Sequence, residues 1–222
     1  MEILNLGSHR IGVRLPERGL CKGKNPAILL NDGELIEQLN LRTERAVLVG
    51  VYPNNRLSEY TPWPEPAIRP GAPDFGGRLG HYHRELTNDI LPPLIDKYAL
   101  DSEKLAYGGF SLGGLAAVMS LWETEVFASV FSLCGSFWYP GVADFVEEHP
   151  LLNGSARVYL QNGTREGEGH NNRLSKATTY AQRVHTALRT ACGAKTVFDD
   201  NGHHDRQTER FCTALRWAEQ IL

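Results

Sequence analysis

Lys104-Leu105-Ala106-Tyr107-Gly108-Gly109-Phe110-Ser111-Leu112-Gly113-Gly114-Leu115-Ala116-Ala117-Val118-Met119 is the stretch whose reading decides the fold. Its first five residues read as a short buried strand, and Gly114 to Met119 read as the start of a helix rich in small residues. Between them, Gly109-Phe110-Ser111-Leu112-Gly113 is a G-x-S-x-G window. A serine on a tight strand-to-helix turn carries a strained backbone and lifts its hydroxyl above the sheet. Glycines two residues to either side relieve the close approach of strand and helix. The helix that follows turns its free N–H groups and positive dipole end toward the serine. In a chain with 22 glycines among 222 residues the five letters alone are weak. The flanking strand and helix patterns give them weight.

The same alternation of buried strand and amphipathic helix recurs outward from this stretch. Pro26 to Leu30 is an apolar run that stops at Asn31-Asp32-Gly33, and Glu34 to Leu41 reads as a short helix. Ala46 to Val51, Ala128 to Leu133, Ala156 to Leu160 and Thr196 to Phe198 read as further strands. Tyr52 to Arg78 is a long loop dense in proline and glycine. Leu79 to Tyr98 reads as a helix that Pro92-Pro93 kinks or splits. Arg173 to Thr190 and Arg206 to Leu222 close the series as helices. This order implies a mostly parallel sheet covered on both faces, as one α/β domain over residues 1–222. Right-handed crossovers then bring Asp32, Ser111, Gly163 and Gly202-His203-His204, each following a strand, to one edge of the sheet.

The composition narrows the class further. Hydrophobic residues make up 41% and charged residues 22%, which suits a globular domain. A net charge of −3 gives no reason to expect nucleic acid or an anionic membrane as partner. No apolar run reaches the roughly 20 residues that span a bilayer. Met1-Glu2-Ile3-Leu4-Asn5 has no basic region followed by an apolar core, so the expected location is cytoplasmic. Cys21, Cys134, Cys192 and Cys212 are widely spaced, which favours free thiols over a metal site.

Acyl transfer by a serine needs a base, an acid that orients the base, and donors for the oxyanion. Of the histidines after Ser111, His185 lies inside a helix, where packing is the plainer reading, and His149 and His170 lie in loops off the strand end. His203 and His204 follow the last strand. His204 is the expected base, because a Gly-x-His-Asp turn lifts it back over the sheet edge with Asp205 capping the final helix; His203 is the alternative. Glu166, just past the strand that ends near Leu160, is the expected acid, with Glu168, Asp199 and Asp200 as competitors. The backbone N–H groups of Leu112 and Glu34 are the expected oxyanion donors. Trp63, Phe110, Trp138 and Tyr139 are candidates for an apolar pocket wall, although aromatic residues in such loops also simply pack.

With these residues placed, the chain resembles the putative-esterase family of α/β-hydrolases, which includes enterochelin-esterase-like enzymes, feruloyl esterases and mycolyltransferases. The resemblance rests on Leu29-Leu30-Asn31-Asp32-Gly33, Arg56 to Trp63, Glu85-Leu86 through Leu91 to Tyr98, Gly109 to Ala117, Gly135 to Tyr139, Asn162 to Glu166 and Gly202 to Asp205. It implies Ser111, Glu166 and His204 as the triad, with Glu34 and Leu112 at the oxyanion hole. Two features depart from the family. Gly202 is followed by two histidines rather than one, and the N-terminal region is short, which leaves the site open or leaves a second copy of the chain to complete it.

The expected activity is cofactor-free hydrolysis of small carboxylic esters through an acyl-enzyme, with no metal and no dedicated lid. Siderophore trilactone hydrolysis is a narrower version that needs a cationic rim, for which Arg56, Arg78, Arg84, Arg165 and Arg173 are candidates. Acyl transfer to an alcohol or sugar is a further alternative. A catalytically inactive interaction module, or a metal site built on His81-x-His83 with His203-His204, is the reading from a different class.

Overall fold

The structure is a computed structural model that describes residues 1–222. Ten strands form in chain order. They are β1 (Glu2–Leu6), β2 (His9–Arg14), β3 (Asn25–Asn31), β4 (Val47–Tyr52), β5 (Pro64–Glu65), β6 (Phe75–Gly76), β7 (Leu100–Phe110), β8 (Ser129–Leu133), β9 (Arg157–Gly163) and β10 (Lys195–Asp199). Eight of them make one sheet in the order β1-β2-β4-β3-β7-β8-β9-β10, while β5 and β6 pair separately. From β4 to β10 every neighbouring pair is parallel; β1–β2 and β2–β4 are antiparallel. The α/β architecture with a mostly parallel sheet is therefore the one the alternation implies.

The helices are α1 (Leu35–Gln38), α2 (Arg56–Glu59), α3 (Leu79–Glu85), α4 (Leu91–Tyr98), α5 (Leu112–Met119), α6 (Val142–Glu148), α7 (Ala177–Cys192) and α8 (Gln207–Ile221). Adjacent residues of the inner strands feed opposite faces of the sheet. Ala27 and Leu29 join the larger core with Leu94, Leu115, Val184 and Leu188, whereas Ile28 and Leu30 join the smaller one with Ile36, Phe211 and Leu215. Both faces are covered, which is why the strands read as unbroken apolar runs. Every residue of α5 is buried, so small side chains are what let it lie flat on β7 and β8.

Four features differ from the sequence expectation, the first being that the stretch expected as a loop from Tyr52 to Arg78 holds α2 and the β5–β6 pair. The N-terminal hairpin β1–β2 is not in that expectation; the signal is Gly7-Ser8, a two-residue turn with Gly7 at φ 56°. The helix expected over Leu79 to Tyr98 is α3 and α4 joined by one π-helical turn, Leu86–Ile90. The wide turn lets Pro92 and Pro93 fall in the first turn of α4, where their missing N–H groups cost nothing. Helix α6 lies in a stretch the sequence reading left irregular. No helix is long and apolar enough to cross a membrane.

Candidate functional site

The parallel strands end on a common edge, and Ser111 stands at its centre. It follows β7 directly and precedes α5, with φ 59° and ψ −120°. A non-glycine residue held there costs about 1–3 kcal/mol, which the surroundings must supply. Hydrogen bonds pin it from both sides: Ser111 N donates to Leu133 O at 2.9 Å, and Ser136 N donates to Ser111 O at 3.0 Å. A Cβ on Gly109 would sit 2.6 Å from the backbone of Gly113, so this strand and helix approach closely enough to require glycine.

The imidazole that reaches this serine belongs to His203. Its Nε2 lies 3.0 Å from Ser111 Oγ, and its Nδ1 lies 2.8 Å from Glu166 Oε2. The choice of His204 is corrected: that side chain is exposed, and its ring stands edge-on to His203 with centroids 4.8 Å apart. Neighbouring side chains in a turn point different ways, and the register here is set by a residue on α8. The buried Arg210 donates from one guanidinium nitrogen to Gly202 O and His203 O, both at 3.1 Å, and to Cys134 Sγ at 2.8 Å. Its other nitrogens hold Asp199, at 2.9 and 2.5 Å. Asp205 does not cap α8; its carboxylate accepts from Gly202 N at 2.8 Å and closes the same loop. Phe110 packs 4.9 Å from the His203 ring on the other side.

Glu166 is buried and accepts three hydrogen bonds besides any from sulfur. Gly163 N donates to Oε1 at 2.6 Å and Asn162 Nδ2 to the same oxygen at 3.2 Å, while His203 Nδ1 serves Oε2. Burial pushes the Glu166 carboxyl up. His203, Gly163 N–H and the Cys134 thiol together outweigh it, and the group ends below its ordinary value. The competing acids are occupied or distant. Asp199 is held by Arg210 and Gln161, Asp200 lies beside Thr164, and Glu168 is exposed.

Oxyanion donors depend on the loop after β3. Glu34 N–H donates to nothing within the fold, and Leu112 N–H opens α5, where no i−4 carbonyl of the helix exists. Asp32, at φ 57°, shapes that loop. Its carboxylate takes two bonds from Arg56, at 2.7 and 2.9 Å, and Arg56 also donates to Phe110 O at 3.3 Å. Asn31 Nδ2 donates to Gly113 O at 2.8 Å. These contacts tie the loop after β3 to both sides of the serine turn.

A cleft of about 330 Å³ opens over Ser111, with Ile68, Trp138, Leu174 and Ala177 as its apolar wall and Arg69, His170 and His204 at its polar side. Of the four expected wall residues only Trp138 lines it. Trp63 and Tyr139 brace the 52–78 loop instead, Trp63 Nε1 donating to Pro140 O at 2.9 Å and Tyr139 Oη to Trp63 O at 2.5 Å. Phe110 backs His203. None of the five arginines expected as a cationic rim lines the cleft: Arg56 is spent on Asp32, Arg173 on Pro66 O and Glu65, and Arg165 faces Asp200 and Asp205.

Metal-type ligands also meet at this site. Cys134 Sγ, Glu166 and His203 offer atoms within 4.8 Å of one another. The Arg210 guanidinium already occupies the sulfur, and burial pushes the thiol far up, so Cys134 is kept an uncharged neighbour of a cation. That is the reverse of what a thiolate ligand requires. His83, in the other histidine pair, is buried and bound to Glu123 at 2.8 Å.

Comparison with known proteins places the fold. The putative esterase family matches residues 7–220. An uncharacterized protein of Bacillus subtilis, YbbA, is 29% identical over 242 residues, covering 96% of this chain and 95% of that one. Among solved structures, the BES protein of Bacillus cereus superposes with a TM-score of 0.74 at 18% identity, covering 95% of this chain and 90% of its own. The enterobactin esterase FES of Shigella flexneri gives 0.69 at 16% identity, over 96% of this chain and 55% of its own. The latter two likenesses are of fold.

Proposed function

Because the chain belongs to the putative esterase family, and is by that membership a carboxylic ester hydrolase, we propose that it works through Ser111, His203 and Glu166 by way of an acyl-enzyme. The observation that carries the reading is the unbroken chain of contacts from Ser111 Oγ through the His203 ring to Glu166. Ser111 Oγ attacks the ester carbonyl carbon while its proton passes to His203 Nε2. The N–H groups of Leu112 and Glu34 receive the oxyanion. As the tetrahedral intermediate collapses, His203 returns the proton to the departing alkoxide. Water then attacks the acyl carbon, giving its proton to His203, and Ser111 is released with the free acid. Glu166 remains ionised and holds the imidazolium in place.

The cleft favours small esters: its apolar wall beside Ser111 suits a short or aryl acyl group, and its volume lies at the lower end for ligand sites. A siderophore trilactone reading draws on the FES-like fold and on Arg69 with His170 and His204. One guanidinium is thin provision for a multiply anionic ferric complex, so the small-ester reading leads. A fluorophosphonate probe with mass spectrometry of the labelled peptide tests the assignment. Labelling at Ser111, and loss of p-nitrophenyl acetate hydrolysis in Ser111→Ala, are expected; wild-type turnover by that variant would refute it.

A further inference from the structure

We propose that Asn162 and His185 are positioning residues that extend the catalytic line beyond its acid, fixing the Glu166 carboxylate for His203; the proposal rests on the triad reading above. The Asn162 side chain is buried between two groups, with Glu166 Oε1 at 3.2 Å and His185 Nε2 at 2.9 Å. A carboxylate only accepts, so the amide NH2 must face Glu166, and Asn162 Oδ1 then faces the imidazole. His185 must therefore donate from Nε2. A neutral imidazole has one N–H, so Nδ1 is bare, and Nδ1 is indeed buried with no partner. The ring lies against Phe198 and Phe137, 4.4 and 6.2 Å between centroids.

A second proton on that ring would be an orphan donor among aromatic side chains. Burial accordingly pulls His185 down to about 4, so it stays a one-proton donor at neutral pH. The result is a directed series: His185 Nε2–H to Asn162 Oδ1, Asn162 Nδ2–H to Glu166 Oε1, His203 Nδ1–H to Glu166 Oε2, and Ser111 Oγ–H to His203 Nε2. Each donor spent on the carboxylate disperses charge that His203 would otherwise feel. Removing one while the carboxylate stays in place strengthens the imidazolium and moves the acid limb of activity to higher pH. Around His203 the other facing groups are His204 on its own loop, Cys134 after β8, Arg210 from α8, and Arg69 and His170 on the same cleft, and none of these changes in the variants below.

The test follows the His203 Cε1–H resonance against pH in a Ser111→Ala background, so that it reads the network independently of the assignment of Ser111 as nucleophile. Asn162→Leu removes the amide donor to Glu166 without adding a charge and is expected to raise the titration midpoint by a few tenths of a unit. His185→Leu removes the terminal donor and is expected to raise it by a few tenths of a unit, with His185→Gln, which keeps an N–H donor, returning it toward the parent. The acid limb of kcat/KM in the Ser111-containing variants should move in parallel. Midpoints that stay at the parent value in Asn162→Leu and His185→Leu, or that fall, would overturn the proposal. Absence of labelling at Ser111 by the fluorophosphonate probe would instead overturn the triad reading.

Discussion

Arg210→Met is the substitution through which the account makes its largest structural prediction. The guanidinium makes five contacts: two with Asp199, one each with Gly202 O and His203 O, and one with Cys134 Sγ. Burial raises the Asp199 carboxyl, but this pair with Gln161 and Asn201 outweighs it and holds the group at about 2, and it remains charged at neutral pH when its partner is gone. Breaking a buried pair from one side costs about 3–5 kcal/mol. For a chain of this length each kcal/mol shifts Tm by about 2–4 °C, so a fall on the order of 10 °C is expected in thermal unfolding. Arg210 touches no reacting atom, yet it grips the peptide carbonyls before and after the His203 α-carbon. Loosening that loop should lower kcat by about 10–100-fold and leave KM within about twofold. Arg210→Met with Asp199→Leu, which removes both charges, should recover most of the Tm and little of the kcat. The acid side adds a second check. Asp199 is depressed in the folded state, so its contribution is complete above 3.8 and is lost as pH falls through about 2. Arg210→Met should lack that loss. A Tm within about two degrees of wild type, with kcat unchanged, would refute the reasoning.

Further outcomes follow from the same geometry. Arg56→Ala frees Asp32 and the loop that presents Glu34 N–H, and should reduce kcat by about 100-fold at nearly constant KM in steady-state assays. Arg56→Lys should recover only part of it, since Lys lacks the forked contact. His9 is buried between Glu59 and Glu85, at 3.3 and 3.5 Å. Burial lowers it, but the two carboxylates outweigh burial and raise it above 6.5. Its stabilising contribution is thus complete below 6.5 and is lost as pH rises through the raised value. His9→Gln should flatten the decline of Tm between neutral and mildly alkaline pH, and an identical slope in both proteins would count against the assignment.

The serine turn was legible because its requirements are local. Ser111 needs glycine at positions 109 and 113 and a strand and helix on either side, and all of these lie within one short stretch. The carboxylate was legible for a similar reason: Glu166 lies just past β9, and its backbone donor is Gly163. The histidine was not. Whether residue 203 or 204 turns inward is decided by Arg210 on α8 and Asp205 across the loop, and neither contact has a signature in spacing. The same holds for Arg56, whose partner Asp32 lies on another loop, and for His185, whose helical position suggested packing until the amide of Asn162 was seen beside it. Trp63 and Tyr139 are aromatic and close in space to the cleft, but their polar atoms bind backbone carbonyls and turn them into braces. The π-helical turn before Pro92 is a compromise between two helical segments that single-residue preferences do not report.

Comparing kcat/KM for p-nitrophenyl acetate between His203→Ala and His204→Ala tests the proposed triad most directly. The account predicts a loss of about 10⁴-fold or more in the first and no more than about tenfold in the second. The opposite ranking, with His203→Ala retaining near-wild-type turnover, would contradict it.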